Sequence, residues 1–498
     1  MYKASVSIFP VKVWGEIDPR IYGHFIEHLG KCIYGGIWDS EKDALNEEVI
    51  KSIRDLQPPV IRWPGGRFSD NYHWMDGIGP VKERPLRDNI PWSQLGPEFG
   101  PKESNRFGTD EFIMFCRRVG AEPYINLNVG SGTPEEAANW VEYCNGDESS
   151  EFGSLRTKYG NPNPHKVKYW GVGNELYGPW ETGHMSAGDY AEKFIEYHDA
   201  VKEVDPKIEL VAVGSDQRFP DWTKTVLEKA GKYINYLSIH LFFPGTLPEE
   251  GGSEIKEDPK TYKRIIASSF KFQDILEWVK NTIESVMGKN HGIKIAFDEW
   301  NLWWDSNQLI HTNYNMRDGL WVASVLNKIH KMASIIKMAN IAQLVNATGI
   351  LQTNGGDVLK TASYEVLKLY REHTQKYAIS AEVYAQKFDF EPLGILKERT
   401  DIPYIDCSAT KSSDSKTITV FIVNFHPKKD MITEIEIPKL RSYEKLLIKE
   451  INAPDIYTTN DYQKSEITIS QKEFTQLPDK IEYKLPAHSI STIIVTRS

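Results

Sequence analysis

Residues Val167–Gly178 read VKYWGVGNELYG, a short β-type run that stops abruptly at an Asn-Glu pair. Val167, Tyr169 and Val172 supply the β-branched and aromatic side chains of a strand, and Gly171 and Gly173 allow close backbone approach before the turn at Gly178 and Pro179. The carboxylate of Glu175 therefore stands where a strand ends. In a parallel α/β barrel that position is the mouth of the active site, because catalytic groups gather at the C-terminal ends of the strands. The alternative is structural: Asn174 and Glu175 cap the next helix or pair with an arginine.

A second stretch of the same kind, Ile293–Trp304, reads IKIAFDEWNLWW. An apolar run again ends in acids, Asp298 and Glu299, followed by Trp300, Trp303 and Trp304. Glycoside hydrolysis uses two carboxyl groups facing each other across the scissile bond, and aromatic faces suit the C–H surfaces of sugars. Both requirements are met, although Trp303 and Trp304 could instead be core residues.

Together, GNELYG and FDEWN resemble the acid/base and nucleophile motifs of glycoside hydrolase family 51, best known for retaining α-L-arabinofuranosidases. The likeness extends through YGHFIEHLGKCIYGGIWD (Tyr22–Asp39), RWPGGRFSDNYHWMDGIGP (Arg62–Pro80) and NRFGTDEFIMFCRRVGAEPYINLNVGSGTPEEA (Asn105–Ala137), and so covers most of the chain. It implies a retaining, exo-acting enzyme that releases terminal arabinofuranose from arabinan- or arabinoxylan-derived oligosaccharides. Glu299 would be the nucleophile and Glu175 the acid/base, its pKa held up by a partly desolvated pocket and the neighbouring carboxylate. Glu27 would touch the sugar in subsite −1 and the Asn174 amide would hold the 2-hydroxyl. No metal or cofactor is implied, and the resemblance points to a hexamer. A same-fold β-xylosidase or β-glucanase, and a non-catalytic carbohydrate-binding protein, are the rival readings.

Three positions depart from the family pattern. Arg67 stands where members commonly place Asn or Cys after the two glycines, as a sugar contact. Phe242 falls where many carry a Tyr beside the nucleophile, and Lys360 near where some carry a sugar-binding Gln. Arg67 either enters the pocket, to pair with Glu27 or a sugar hydroxyl, or turns away into a salt bridge. Gly65 and Gly66, just before it, either let the backbone approach a ligand or form an ordinary turn.

HFIEH, at His24–His28, also matches the H-x-x-E-H of zinc peptidases, with Glu27 as base between two ligating histidines. That reading needs a helix, whereas Tyr22 and Gly23 before the motif and Leu29 and Gly30 after it favour a strand ending in a loop.

From Asp18 onward, β-type runs alternate with helical segments, the pattern of a (β/α)8 TIM barrel. The expected strands are Ile21–Glu27, Val60–Pro64, Pro123–Val129, Lys166–Gly173, Ile208–Gly214, Tyr236–Phe242, Ile293–Asp298 and Ile335–Ile341, so that Glu175 closes the fourth and Glu299 the seventh. Thr133, Pro134 and Glu136 form a capping box for one of the helices. After Thr374 the texture changes to short alternating runs such as TITVFIVNF (Thr417–Phe425), an all-β sandwich of jelly-roll type. The organisation expected is a strand in 1–15 joining the β-domain, a catalytic barrel in 16–375 and the sandwich in 376–498.

Composition excludes several partners. The chain has 498 residues, 40% hydrophobic and 26% charged, which suits a large packed core rather than disorder. Its net charge of −10 opposes binding to a nucleic acid or an anionic membrane, both of which attract excess Lys and Arg. Cys32, Cys116, Cys144 and Cys407 form no C-x-x-C pair, and the N-terminal residues contain no signal-peptide core. A cytoplasmic enzyme is the expectation.

Overall fold

Eight short parallel strands close into a barrel whose interior is filled by side chains. The computed structural model describes residues 2–244, 259–303, 312–391, 396, 401–475, 477–478 and 480–497. After an N-terminal strand β1 (Tyr2–Glu16), the barrel strands are β2 (Gly23–Phe25), β3 (Val60–Trp63), β4 (Glu122–Leu127), β5 (Tyr169–Val172), β6 (Glu209–Val213), β7 (Tyr236–Pro244), β8 (Lys294–Trp303) and β9 (Ile336–Ala342). Each pairs with the next, and β9 returns to β2. All eight expected strands form, including Ile336–Ala342, whose KMANIAQLVN context is compatible with a helix by pattern alone. Val60, Tyr124, Tyr169, Val211, Tyr236, Ala296 and Met338 pack as one buried cluster inside the barrel, so the floor beneath the strand ends is solid.

Helix starts follow their sequence signals. Thr133 Oγ1 accepts from the Glu136 N–H at 3.1 Å with Pro134 at the first helical position. The expected box is only half made, because the Glu136 carboxylate bonds His73 Nδ1 at 2.9 Å instead.

Apart from four two-stranded sheets, the rest of the β structure among the described residues is one nine-stranded sheet. Its strands are β1 with β10 (Tyr377–Tyr384), β11 (Ile405–Lys411), β12 (Thr417–Asn424), β13 (Met431–Glu436), β14 (Lys445–Asn452), β15 (Thr468–Phe474), β16 (Ile481–Leu485) and β17 (Ser489–Thr496), in the order β15-β14-β17-β12-β11-β10-β1-β13-β16. β1 sits between β10, antiparallel, and β13, parallel. The sheet rolls over a core that takes Leu446 and Ile448 from one end and Ile481 and Leu485 from the other. Tyr483 Oη donates to Glu450 across that roll at 3.0 Å. The sandwich is therefore a single curled sheet. Lys328, on the barrel helix Met316–Lys331, binds Asp406 of β11 at 2.6 Å in a buried pair that fixes barrel to sheet.

Candidate active site

A pocket of about 570 Å³ opens at the C-terminal ends of the barrel strands, lined by Glu27, Gly66, Arg67, Asn174, Glu175, Phe242 and Glu299 among others. The six residues singled out from the sequence are thus brought together. Two local distortions present the central carboxylates. Glu175 follows β5 with a left-handed φ of 41°, a conformation that costs a residue with a Cβ about 1 kcal/mol and that turns its carboxylate over the barrel mouth. Glu299 is carried by a bulge: the pairing of β8 slips between Phe297 and Trp300 against β9, and opposite the Ser238–His240 step of β7. A regular strand would send Asp298 and Glu299 to opposite faces. Here both are buried and both enter one charge network.

That network centres on Arg62 and His240, which the sequence reading passed over. Arg62, 1% exposed, donates from Nη1 to Glu299 Oε1 at 2.5 Å and from Nη2 to Asn174 Oδ1 at 2.9 Å. His240 donates from Nδ1 to Glu175 Oε1 at 2.9 Å and lies 3.6 Å from Glu299 Oε1. Its Nε2 meets Ser238 Oγ at 3.0 Å, while that hydroxyl gives its own proton to Asp298 Oδ1 at 2.6 Å. Acceptors therefore face both ring nitrogens, and the ring is an imidazolium. Burial disfavours that charge, but Glu299, Asp298 and Glu175 overcome it and raise His240 to about 10.

The expected pKa of Glu175 is overturned by this partner. Burial pushes its carboxyl up, yet the hydrogen bond and charge of His240, with Arg218 and the Trp180 indole N–H at 2.8 Å, take it down to about 2. Glu299 moves the other way. Burial holds it above its ordinary range despite His240 and Arg62, and Glu175 adds to the rise. One oxygen of each carboxylate and one His240 nitrogen all lie within 4.8 Å of one another.

The glycine pair makes room for these acids. A Cβ on Gly65 would stand 2.5 Å from Glu27 Cγ, and one on Gly66 would stand 2.8 Å from Glu299 Oε1. Glu27 Oε1 accepts the N–H groups of Gly66 and Phe68, each at 3.1 Å. Burial and the charge of Glu299 nevertheless raise Glu27 to about 7.

Several expectations are corrected here. Among the described residues, Arg67 neither pairs with Glu27 nor forms a salt bridge: its Nη2 donates to the Trp180 carbonyl at 2.8 Å and its guanidinium lies 5.2 Å from the Trp92 ring centre. Lys360 is not at the pocket, since it faces Asp55 at 3.3 Å. The glutamine in the site is Gln343, which donates to Glu27 Oε2 at 3.4 Å. Phe242 packs edge-on against Trp303, with ring centres 5.0 Å apart, at the pocket wall. Trp300 is core, and Trp304 lies outside the described residues. The zinc reading of His24, Glu27 and His28 fails on geometry, because His24 lies on a strand and His28 Nδ1 is committed to Glu103 at 2.7 Å. Among the described residues, three potential ligand atoms converge only at Glu175, His240 and Glu299, where the Arg62 cation already occupies Glu299.

A parallel barrel carrying facing carboxylates at its mouth, between aromatic walls, belongs to the glycoside hydrolases. Comparison with known proteins sharpens this. Residues 52–242 match the model of α-L-arabinofuranosidase domain 1, and residues 298–489 match that of the α-L-arabinofuranosidase C-terminal domain. The chain is 33% identical to an intracellular exo-α-(1→5)-L-arabinofuranosidase of Halalkalibacterium halodurans, over 87% of each. It is 32% identical to a probable α-L-arabinofuranosidase C of Aspergillus niger, over 98% of this chain and 96% of that one. The arabinose-bound crystal structure of the Thermotoga maritima α-L-arabinofuranosidase superposes with a TM-score of 0.89 at 34% identity, covering 99% of this chain and all of that one. The chain belongs to glycoside hydrolase family 51, the α-L-arabinofuranosidases.

Proposed function

We infer that the protein is a retaining, exo-acting α-L-arabinofuranosidase that releases terminal arabinofuranose from arabinan- or arabinoxylan-derived oligosaccharides. The observation that carries the mechanism is the closeness of the carboxylates, within 4.8 Å by their nearer oxygens. Double displacement works with carboxyl groups about 5–5.5 Å apart, whereas direct attack by water needs roughly 6.5 Å or more.

Glu299 attacks the anomeric carbon as the bond to the leaving oxygen breaks. The proton this oxygen receives passes from His240 along the 2.9 Å bond to Glu175 and on to the oxygen, which leaves Glu175 ionised and His240 neutral. The charge of Glu299 helps to hold the proton on His240. Its conversion to an ester removes this hold at the moment the proton is needed. In the second step Glu175, ionised, takes a proton from the incoming water, which displaces Glu299 from the anomeric carbon. Glu27 and Asn174 bind the sugar in subsite −1, while Arg67 and Phe242 shape the pocket wall.

Residues 16–375 are the catalytic unit, supported by a β-domain of 376–498 with the strand of 1–15. An intracellular location is supported by the names of two relatives and by the four cysteines, all free and buried. The hexamer rests on family resemblance, and sedimentation as a 57.0 kDa species would remove it. Aryl α-L-arabinofuranoside, β-D-xyloside and β-D-glucoside, compared by kcat/KM with the product anomer followed by NMR, test the assignment. The arabinoside should be preferred and the first-formed product should keep its configuration. Preference for the xyloside or glucoside would overturn the substrate, and inversion would overturn the mechanism.

A further inference from the structure

Two carboxyl groups behind Asn174 have no part in the chemistry described above. Asp70 is fully buried in the turn Arg67–Asn71 after β3, and Glu181, 5% exposed, lies in the loop after β5. Glu181 Oε1 accepts from Asn174 Nδ2 at 3.3 Å, and Asp70 Oδ2 accepts from the Gly183 N–H at 3.4 Å. The remaining oxygens, Asp70 Oδ1 and Glu181 Oε2, are buried and meet no N–H or hydroxyl donor. The negative charge of Asp70 acts on Glu181, so the two acids are neighbours inside the protein. Such a pair holds a proton, because two bare carboxylates side by side would repel strongly away from water.

We propose that Glu181 is a positioning residue, which, through a proton shared with Asp70, aims the Asn174 amide at the sugar 2-hydroxyl. The proposal rests on the reading of Asn174 as a sugar ligand. Asn174 Oδ1 is taken by Arg62 and one of its N–H groups by Glu181, leaving the second N–H for a ligand. A flipped amide would set its carbonyl against the Glu181 oxygen and its NH2 against the Arg62 guanidinium, two repulsions in place of two bonds. The proton matters because it keeps Glu181 beside Asp70 with Oε1 free to accept. Burial raises both acids above the ordinary carboxylate range, and the charges of Asp70, Glu175 and Glu27 raise Glu181 further, with Arg67 opposing. For a raised carboxyl the stabilising contribution is complete below its ordinary pKa and is lost as pH rises through the folded-state value. The bridge therefore weakens on the alkaline side.

The test is kinetic, on an aryl α-L-arabinofuranoside and its 2-deoxy analogue. Glu181→Ala should lower kcat/KM for the parent about 30-fold, chiefly in kcat because bonds to the 2-hydroxyl strengthen in the transition state, and change the analogue by less than about threefold. Glu181→Gln, whose carbonyl still accepts from Asn174 and whose NH2 donates to ionised Asp70, should recover the parent substrate to within about fivefold of wild type. In wild type the parent-to-analogue ratio should fall as pH rises, and in Glu181→Gln it should stay level; the imidazolium of His240 acts on both substrates and cancels. An equal fall on both substrates in Glu181→Ala overturns the proposal. So does a Glu181→Gln ratio that still varies with pH as in wild type, which decides the matter even where the alanine variant fails to fold. Asn174→Ala is the control: if it collapses the ratio while Glu181→Ala leaves it intact, only the positioning role fails. If Asn174→Ala leaves the ratio unchanged, the reading of Asn174 fails and the positioning role with it.

Discussion

The ends of β5 and β8 place a glutamate on the same pocket, and His240 reaches both, yet the two sites hold their carboxylates in opposite ways. Glu175 sits on a left-handed turn, partly open to solvent, with an imidazolium on one oxygen and an indole N–H on the other. Glu299 sits on a bulge, buried, with a guanidinium at 2.5 Å. The first falls to about 2 and the second rises. Position at a strand end does not decide which acid keeps a proton. The neighbours do, and here the resting proton belongs to the pair His240–Glu175 with its home on the ring.

Removing each carboxylate is the severest way to break this comparison. Glu299→Ala should cost about ten-thousandfold in kcat on every substrate, because the covalent step has no other nucleophile in reach. Glu175→Ala should spare the first step for an activated aryl leaving group, which needs no proton, and slow the second. Azide should rescue it and yield a glycosyl azide of retained configuration. Rescue of Glu299→Ala with an azide of retained configuration, and of Glu175→Ala with an inverted one, would exchange the two roles.

His240→Gln sharpens the comparison, since it removes the one group that both carboxylates face. Without the imidazolium, only Arg218 and the Trp180 indole N–H oppose burial at Glu175, and its pKa rises. Glu299 loses an attraction that lowers its own pKa and rises further. In wild type the alkaline limb of kcat/KM should stand near 10 and the acid limb above the ordinary carboxylate range. The variant's bell should narrow from both sides, with neutral activity down about 30-fold. A profile of unchanged width would show that the ring does not hold the catalytic proton.

How much of this is legible in the residues follows from where the partners lie. The eight strands and the two acids can be read because each depends on local pattern: an apolar run, a terminating pair, a turn. Arg62 and His240 sit in the middle of VIRW and SIHLFF, where one polar residue looks like noise in an apolar run. The overlooked signal is energetic, since a charge within a barrel strand must find a buried partner. The bulge at Glu299 is set by pairing with β7 and β9, which no local pattern around FDEWN reports. Lys360 drew attention by loose alignment while Gln343, in an apolar context, held the position. Glu181 and Asp70 meet only because the turn after β3 and the loop after β5 pack together at the mouth.

The smallest expected effect is at Arg67, whose hydrogen bond reaches the loop at the β5 end while its guanidinium rests on the Trp92 ring. Its Nη2 bonds the Trp180 carbonyl, and Trp180 in turn donates to Glu175 Oε2. Asparagine is too short to reach that carbonyl from the same backbone, so Arg67→Asn frees the Trp180 loop without touching Arg62 or Glu299. The bond is charged but partly exposed, so its worth is about 1 kcal/mol, or about fivefold in rate, rather than the larger value of a buried one. The loss should fall on alkyl and sugar leaving groups, which depend on Glu175, and spare activated aryl ones. A hybrid result would be informative: an equal loss on both leaving groups would mean that Arg67 acts on the sugar itself in subsite −1, as its position after the glycine pair first suggested, and would move it from the wall of the β5 side into contact with substrate.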